Sequence, residues 1–176
     1  MIRESSYWKD DLIKLANKLE RRLVQTRWGE KNLYTVEKDI FLGFYYVRKL
    51  IESKKISDSL KKKSYEVKEF PYRGSPESII NHFKETDYDF SMAKTSKITI
   101  IQLCNQFIHS YYFFPFLPNG KNLIGFLFCS DHKRTSCIYL ITLFDVVDIY
   151  RTIGSNYPRN MHTRLLPNGK SVTAIE

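Results

Sequence analysis

The chain has little of what the commonest enzyme and membrane classes require. No apolar run approaches the roughly 18 residues that a membrane span needs, residues 138–144 being among the longest. The opening Met1-Ile2-Arg3-Glu4-Ser5-Ser6 lacks the apolar stretch and small-residue cleavage site of a signal peptide. Cysteine is scarce and odd in number, with Cys104, Cys129 and Cys137 in 176 residues. That count disfavours a disulfide framework and leads us to expect reduced thiols in a cytoplasmic setting. The sequence carries no phosphate-binding glycine loop, no paired-carboxylate metal signature and no Gly-x-Ser-x-Gly elbow. P-loop NTPases, common metal-dependent nucleases and α/β hydrolases are thereby disfavoured, and no cofactor is expected.

Acidic residues are also few, 19 Asp+Glu against 28 Lys+Arg, for a formal net charge of +9. Such an excess concerns partners more than fold, and points first to nucleic acid, RNA included. The densest basic groups are Arg21-Arg22 with Arg27, Lys61-Lys62-Lys63 and His132-Lys133-Arg134, each able to meet phosphates without reading sequence. At 43% apolar the chain can bury a core, and 15% aromatic content is high for its length.

Hydrophobic spacing predicts a helix over 6–26, with Leu12, Leu15, Ala16, Leu19 and Leu23 as its apolar stripe. Trp28-Gly29-Glu30 breaks it, and a second helix is expected after Asn32 to about Ser53, antiparallel to the first. Residues 64–70 read as a short strand, 75–86 as a helix opened by Ser75-Pro76-Glu77, and 87–96 as a loop. Residues 98–113 read as a buried helix, because Ile100, Leu103, Cys104, Phe107, Ile108 and Tyr111 keep the 3.6-residue period. Two apolar runs, 123–130 and 136–142, form a β-hairpin, followed by a helix capped by Thr142 and Asp145 that ends at Gly154. The pentapeptide Leu-Pro-Asn-Gly-Lys occurs at 117–121 and at 166–170, and both copies read as turns. The expected fold is α+β and mostly α, in a single domain. An antiparallel helical bundle fills 1–116, a hairpin and short helix fill 121–154, and an irregular tail covers 158–176.

The second face of the 98–113 helix carries Gln102, Asn105, Gln106 and His109, a stripe without charge in a highly charged protein. Amides beside an imidazole suit a polar interior cluster, a partner interface or a catalytic site. Cys104-Asn105-Gln106-Phe107-Ile108-His109-Ser110-Tyr111 resembles the motif of HEPN domains, Arg-Asn-x-x-x-His, often followed by x-Tyr. The resemblance implies a helical bundle, a homodimer whose paired motifs cleave RNA without metal, and a toxin or defence role with a neutralising protein partner. Asn105, His109 and Tyr111 match; the motif's arginine position is Cys104, and Arg21, Arg22 and Arg27 are the candidates to replace its charge.

Under this reading His109 is the general acid or base and Asn105 orients it or holds a phosphate oxygen. Gln102, Gln106 and Tyr111 are the interface candidates, and Arg21, Arg22, Arg27, Lys61, Lys62, Lys63, Lys133 and Arg134 the phosphate contacts. The alternative is a non-catalytic basic module that binds nucleic acid or a protein through the 102–109 face. Cys129, His132 and Cys137 at C-x2-H-x4-C spacing need a fourth ligand for structural zinc, with His162 or Asp131 the candidates, and are better explained as strand filler and turn.

Overall fold

The computed structural model describes residues 2–75 and 83–176. Its helices are α1 (Ser6–Glu20), α2 (Glu30–Glu52), α3 (Asp58–Lys62), α4 (Ile100–Ile108) and α5 (Leu143–Gly154). Its strands are β1 (Ser64–Pro71), β2 (Lys94–Thr99), β3 (Ser110–Phe116), β4 (Gly125–Ser130), β5 (Cys137–Thr142), β6 (Met161–Leu165) and β7 (Ser171–Ile175).

Five of these strands form one antiparallel sheet in the order β2-β1-β5-β4-β3, and β6 pairs with β7 separately. The expected helical bundle is therefore wrong: the framework is a sheet, with helices packed on it. The β4–β5 hairpin lies inside that sheet and is no extension, since β5 also pairs with β1 and β4 with β3. Alternation along β4 sends Phe126 and Phe128 toward the helices and Leu127 and Cys129 toward the other face. On that second face Phe70, Tyr88 and Ile138 pack with Phe83, Phe90, Tyr112 and Phe114, so both faces are covered and β4 is buried throughout. Many of the chain's aromatic residues pack on the two faces of this sheet.

The 98–113 helix is the largest local correction. Ile98 and Thr99 finish β2, α4 spans nine residues, and Ser110–Phe116 is a strand paired with β4. Thr99 decides where α4 starts, through a capping box in which its hydroxyl accepts from the Gln102 N–H and Gln102 Oε1 accepts from the Thr99 N–H. The Tyr-Tyr-Phe-Phe-Pro-Phe run suits a pleated strand, and β3 lies at the sheet edge, where Pro115 interrupts no central ladder. The tail is also corrected, because β6 and β7 form a hairpin where an irregular segment was expected. Lys94–Thr99 likewise intrudes on the loop expected at 87–96. The helix expected over 75–86 falls mainly outside the described residues, although Glu85–Asp87 forms a 3-10 turn.

Other elements follow their sequence cues. α1 gives way to a 3-10 turn at Arg21–Val24, and α2 begins after Gly29, three residues before the expected cap at Asn32. α1 packs most extensively on α5, closely enough that Gly154 admits no side chain, since a Cβ there would lie 2.9 Å from the Lys9 carbonyl oxygen. Both Leu-Pro-Asn-Gly-Lys copies turn on the same glycine bond. Gly120 (φ 64°) and Gly169 (φ 75°) take the left-handed conformation and donate to Leu117 O and Leu166 O at 2.9 and 3.0 Å. No helix among the described residues is long and apolar enough to cross a membrane.

A cleft between α2, α4 and the β4–β5 turn

Where α4 ends, His109 caps it and donates its N–H to Asn105 O at 3.0 Å. β3 starts at the next residue, with Ser110 opposite Ser130 at the end of β4. His109 and Asp131 thus flank a paired position, which brings the end of α4 beside the β4–β5 turn. Gln106 fastens the junction by accepting the Ser130 N–H at 2.9 Å. The ladder register then shifts between Ser110 and Tyr112, leaving Tyr111 as the extra residue. Such bulges re-aim side chains at sheet edges and beside sites. Arg48, Asn105, Gln106, His109, His132 and Lys133 line the resulting cleft of about 790 Å3.

Arg48 reaches this cleft from α2. Its Nη1 donates to Asn105 Oδ1 and its Nε donates to Glu52 at 2.6 Å. Lys49 also donates to Glu52, at 3.1 Å, and the two cations hold the Glu52 carboxyl below its ordinary range. A guanidinium has five N–H donors, so these bonds leave donors for a phosphate oxygen. Two stacked ring pairs keep α2 registered against α4 and the sheet: Phe44 on Phe107 at 4.0 Å and Phe107 on Phe128 at 4.4 Å between centroids. Asp131 is the acidic residue of the lining and pairs with Arg134 at 3.1 Å. Arg134 also lies over the Tyr111 ring at 4.2 Å. His109, His132 and Lys133 are exposed, as groups that meet a macromolecule must be.

The structure brings together some of the residues singled out from sequence and disperses others. Asn105, His109, Gln106 and Lys133 share the cleft. Gln102 caps α4 at its other end. Tyr111 lies on a strand and not on the helix, and is 48% exposed beneath Arg134. Arg21 and Arg22 occupy the 3-10 turn after α1, where Arg22 bonds Gln25, and neither they nor Arg27 lines the cleft. Lys61 and Lys62 end α3. Lys63 O accepts the Ile100 N–H at 3.1 Å, which puts this basic run at the start of α4, roughly 13 Å along the helix from His109.

Cys104 is fully buried on the apolar side of α4, and burial pushes its thiol up to about 12. Cys129 and Cys137 are buried in the sheet while His132 is exposed at its end. Burial pushes Cys129 up to about 12 as well, against the thiolate a metal needs. Among the described residues no three His, Cys, Asp or Glu side chains are grouped to hold a metal ion.

Sequence reasoning missed Arg48. It lies 57 residues from Asn105 in the chain, on a different helix. His132 was weighed as part of a basic phosphate-contacting group and as a metal ligand, without a link to His109, although the Ser110–Ser130 pairing brings the two to one cleft. The chain has no match among family models, curated proteins or solved structures. Function must therefore be argued from the cleft itself.

Proposed function

We propose that the chain is an RNA-directed protein whose cleft cleaves the phosphodiester backbone without a metal ion. One observation carries the reading: two exposed imidazoles, a lysine and an amide-anchored arginine line one cleft of a protein with net charge +9. One imidazole takes the ribose 2′-hydroxyl proton, and the oxygen attacks phosphorus. The bond from phosphorus to the 5′ oxygen then breaks, and the other imidazole, protonated, gives its proton to the departing oxygen. The products are a 2′,3′-cyclic phosphate and a 5′-hydroxyl. Lys133 and Arg48 stabilise the extra negative charge on the phosphoryl oxygens.

This chemistry is the one that the HEPN resemblance implied, with Arg48 of α2 in the role vacated by Cys104. It needs one chain, because both imidazoles come from the same cleft. The test uses an RNA oligonucleotide in EDTA and the same oligonucleotide with single 2′-deoxy substitutions. The expected result is a cyclic-phosphate product and no cleavage 3′ to the deoxy position. Cleavage there, or products with 5′-phosphates, would overturn the mechanism. Salt-sensitive RNA binding with no cleavage at all would favour the non-catalytic basic module.

A further inference from the structure

A second recess, of about 220 Å3, lies where the start of α1, the residues after α2 and the segment before β6 meet. Its lining includes Lys9, Lys54, Lys55 and Arg159 and no Asp or Glu side chain, and Glu176 O accepts the backbone N–H groups of Arg159 and Asn160 at 2.7 and 3.2 Å. Three features of it work against the stability of the free protein.

Lys9 is only 1% exposed, yet no carboxylate lies within ion-pair distance of it among the described residues, and its ammonium sits 4.1 Å from the Tyr157 ring centroid. Burial, followed by the Lys55 ammonium, lowers the Lys9 pKa from the ordinary lysine value. Lys9 also lies early in α1, near the positive end of the helix dipole, and the first turn holds no acidic residue. The carboxylate whose field reaches it, Glu4, accepts the Ser6 N–H at 2.9 Å.

Lys54 is the only non-glycine with positive φ, 57°, among the described residues. It terminates α2 in a Schellman arrangement, with Lys55 N–H donating to Leu50 O at 2.9 Å and Lys54 N–H to Ile51 O at 3.1 Å. Glycine is the usual residue there because it takes that conformation without cost. Here a cation occupies the position, beside a second cation and a buried third. Strain of this kind concentrates at ligand sites. One kind of ligand would relieve the charge crowding: a small anion with several acceptor oxygens.

We propose that Lys9, Lys54, Lys55 and Arg159 form a binding pocket for a phosphate group. The recess is smaller than the roughly 300–1,000 Å3 of drug-sized ligand sites, which suits a phosphate or pyrophosphate and not a whole nucleotide. The phosphate arrives either free or as the terminal phosphate of a nucleic-acid strand, and the two sources share the same recognition chemistry.

The test titrates the full chain with orthophosphate and pyrophosphate by calorimetry at low salt. A 5′-phosphorylated RNA oligonucleotide and its 5′-hydroxyl twin then compete for the bound pyrophosphate. Lys9→Met and Arg159→Ala are each expected to weaken pyrophosphate binding about tenfold or more, while Lys97→Ala, exposed on the edge strand β2, leaves it unchanged. Lys54→Gly is expected to weaken binding while raising the urea midpoint, an opposition that a merely structural lysine would not produce. Competition by the 5′-phosphorylated strand alone identifies a strand end as the source; competition by neither oligonucleotide identifies a free phosphate. Absence of binding by the wild-type chain, or binding that Lys9→Met and the surface variant Arg159→Ala leave intact, would overturn the proposal. Pyrophosphate needs no RNA, so failure here is distinct from failure of the ribonuclease reading.

Discussion

Substituting alanine for Gly43 should damage this protein for a reason that a second substitution removes. Gly43 faces Tyr150 across the α2–α5 contact, and a Cβ there would fall against the Tyr150 ring and hydroxyl, far inside van der Waals distance. The ring has nowhere to go. Tyr150 is fully buried, packs edge-on to Phe44 at 5.3 Å, and donates its hydroxyl to Ile40 O at 2.7 Å. Overpacking of a tight core costs about 1–3 kcal/mol, and breaking the buried phenol bond costs about 1–3 kcal/mol more. The expected loss for Gly43→Ala is about 3–5 kcal/mol, a large part of the roughly 5–15 kcal/mol that holds a domain together. Urea unfolding followed by circular dichroism measures it as a midpoint fall on the order of 1–3 M. In a Tyr150→Ala background the clash is gone, and the same change becomes a favourable glycine-to-alanine substitution inside a helix, worth about 0.8–1.0 kcal/mol. The sign should therefore reverse. Equal destabilisation in both backgrounds would refute the packing of α2 on α5.

Four further outcomes are expected. Arg48→Met should lower RNA cleavage about 100- to 1,000-fold while changing stability by no more than about 1 kcal/mol, because the Arg48–Glu52 pair is partly exposed. Arg48→Lys should restore only part of the rate, since one ammonium cannot span Asn105 and Glu52; full restoration, measured by initial rates, would contradict the bridging role. Thr99→Ala should cost about 1 kcal/mol by urea unfolding through loss of the α4 capping box, and an unchanged midpoint would contradict it. Raising pH should destabilise the fold from about pH 9, because Cys104, Cys129 and Tyr65 are all pushed up to about 12 by burial. The sign follows from linkage: the unfolded thiols and phenol ionise first, so stability is complete below their ordinary values and is lost as pH rises toward 12. Alkaline titration of stability should show this loss shrink in Cys104→Ala, and a loss of the same size there would contradict the assignment.

Local cues in the sequence went as far as local physics allows. The polar 131–135 turn between two apolar runs gave the β4–β5 hairpin, the Thr142–Asp145 spacing gave the α5 cap, and Pro-Asn-Gly gave both turns. What periodicity could not resolve was pairing. The apolar residues of 98–113 fit a helix until Ser110–Phe116 finds β4, a partner some 15 residues away whose attraction leaves no trace in the local pattern. The Thr99–Gln102 capping box was a usable cue for the α4 start and went unread. The tail hairpin failed similarly, because every residue of β6 is exposed and it buries no apolar face. For the site, Asn105 and His109 were legible from their spacing on one helix. Arg48 and His132 were not, since only the packing of α2 on α4 and the Ser110–Ser130 register bring them near.

The most direct measurement of the central claim is cleavage of mixed RNA in EDTA by the purified chain, beside His109→Ala and His132→Ala at matched stability. Cleavage by the wild-type chain is expected to persist in EDTA and to fall by at least about 100-fold in each variant, as removal of a general acid or base requires. Equal cleavage by all three proteins, or activity restored only by added metal, would contradict the account.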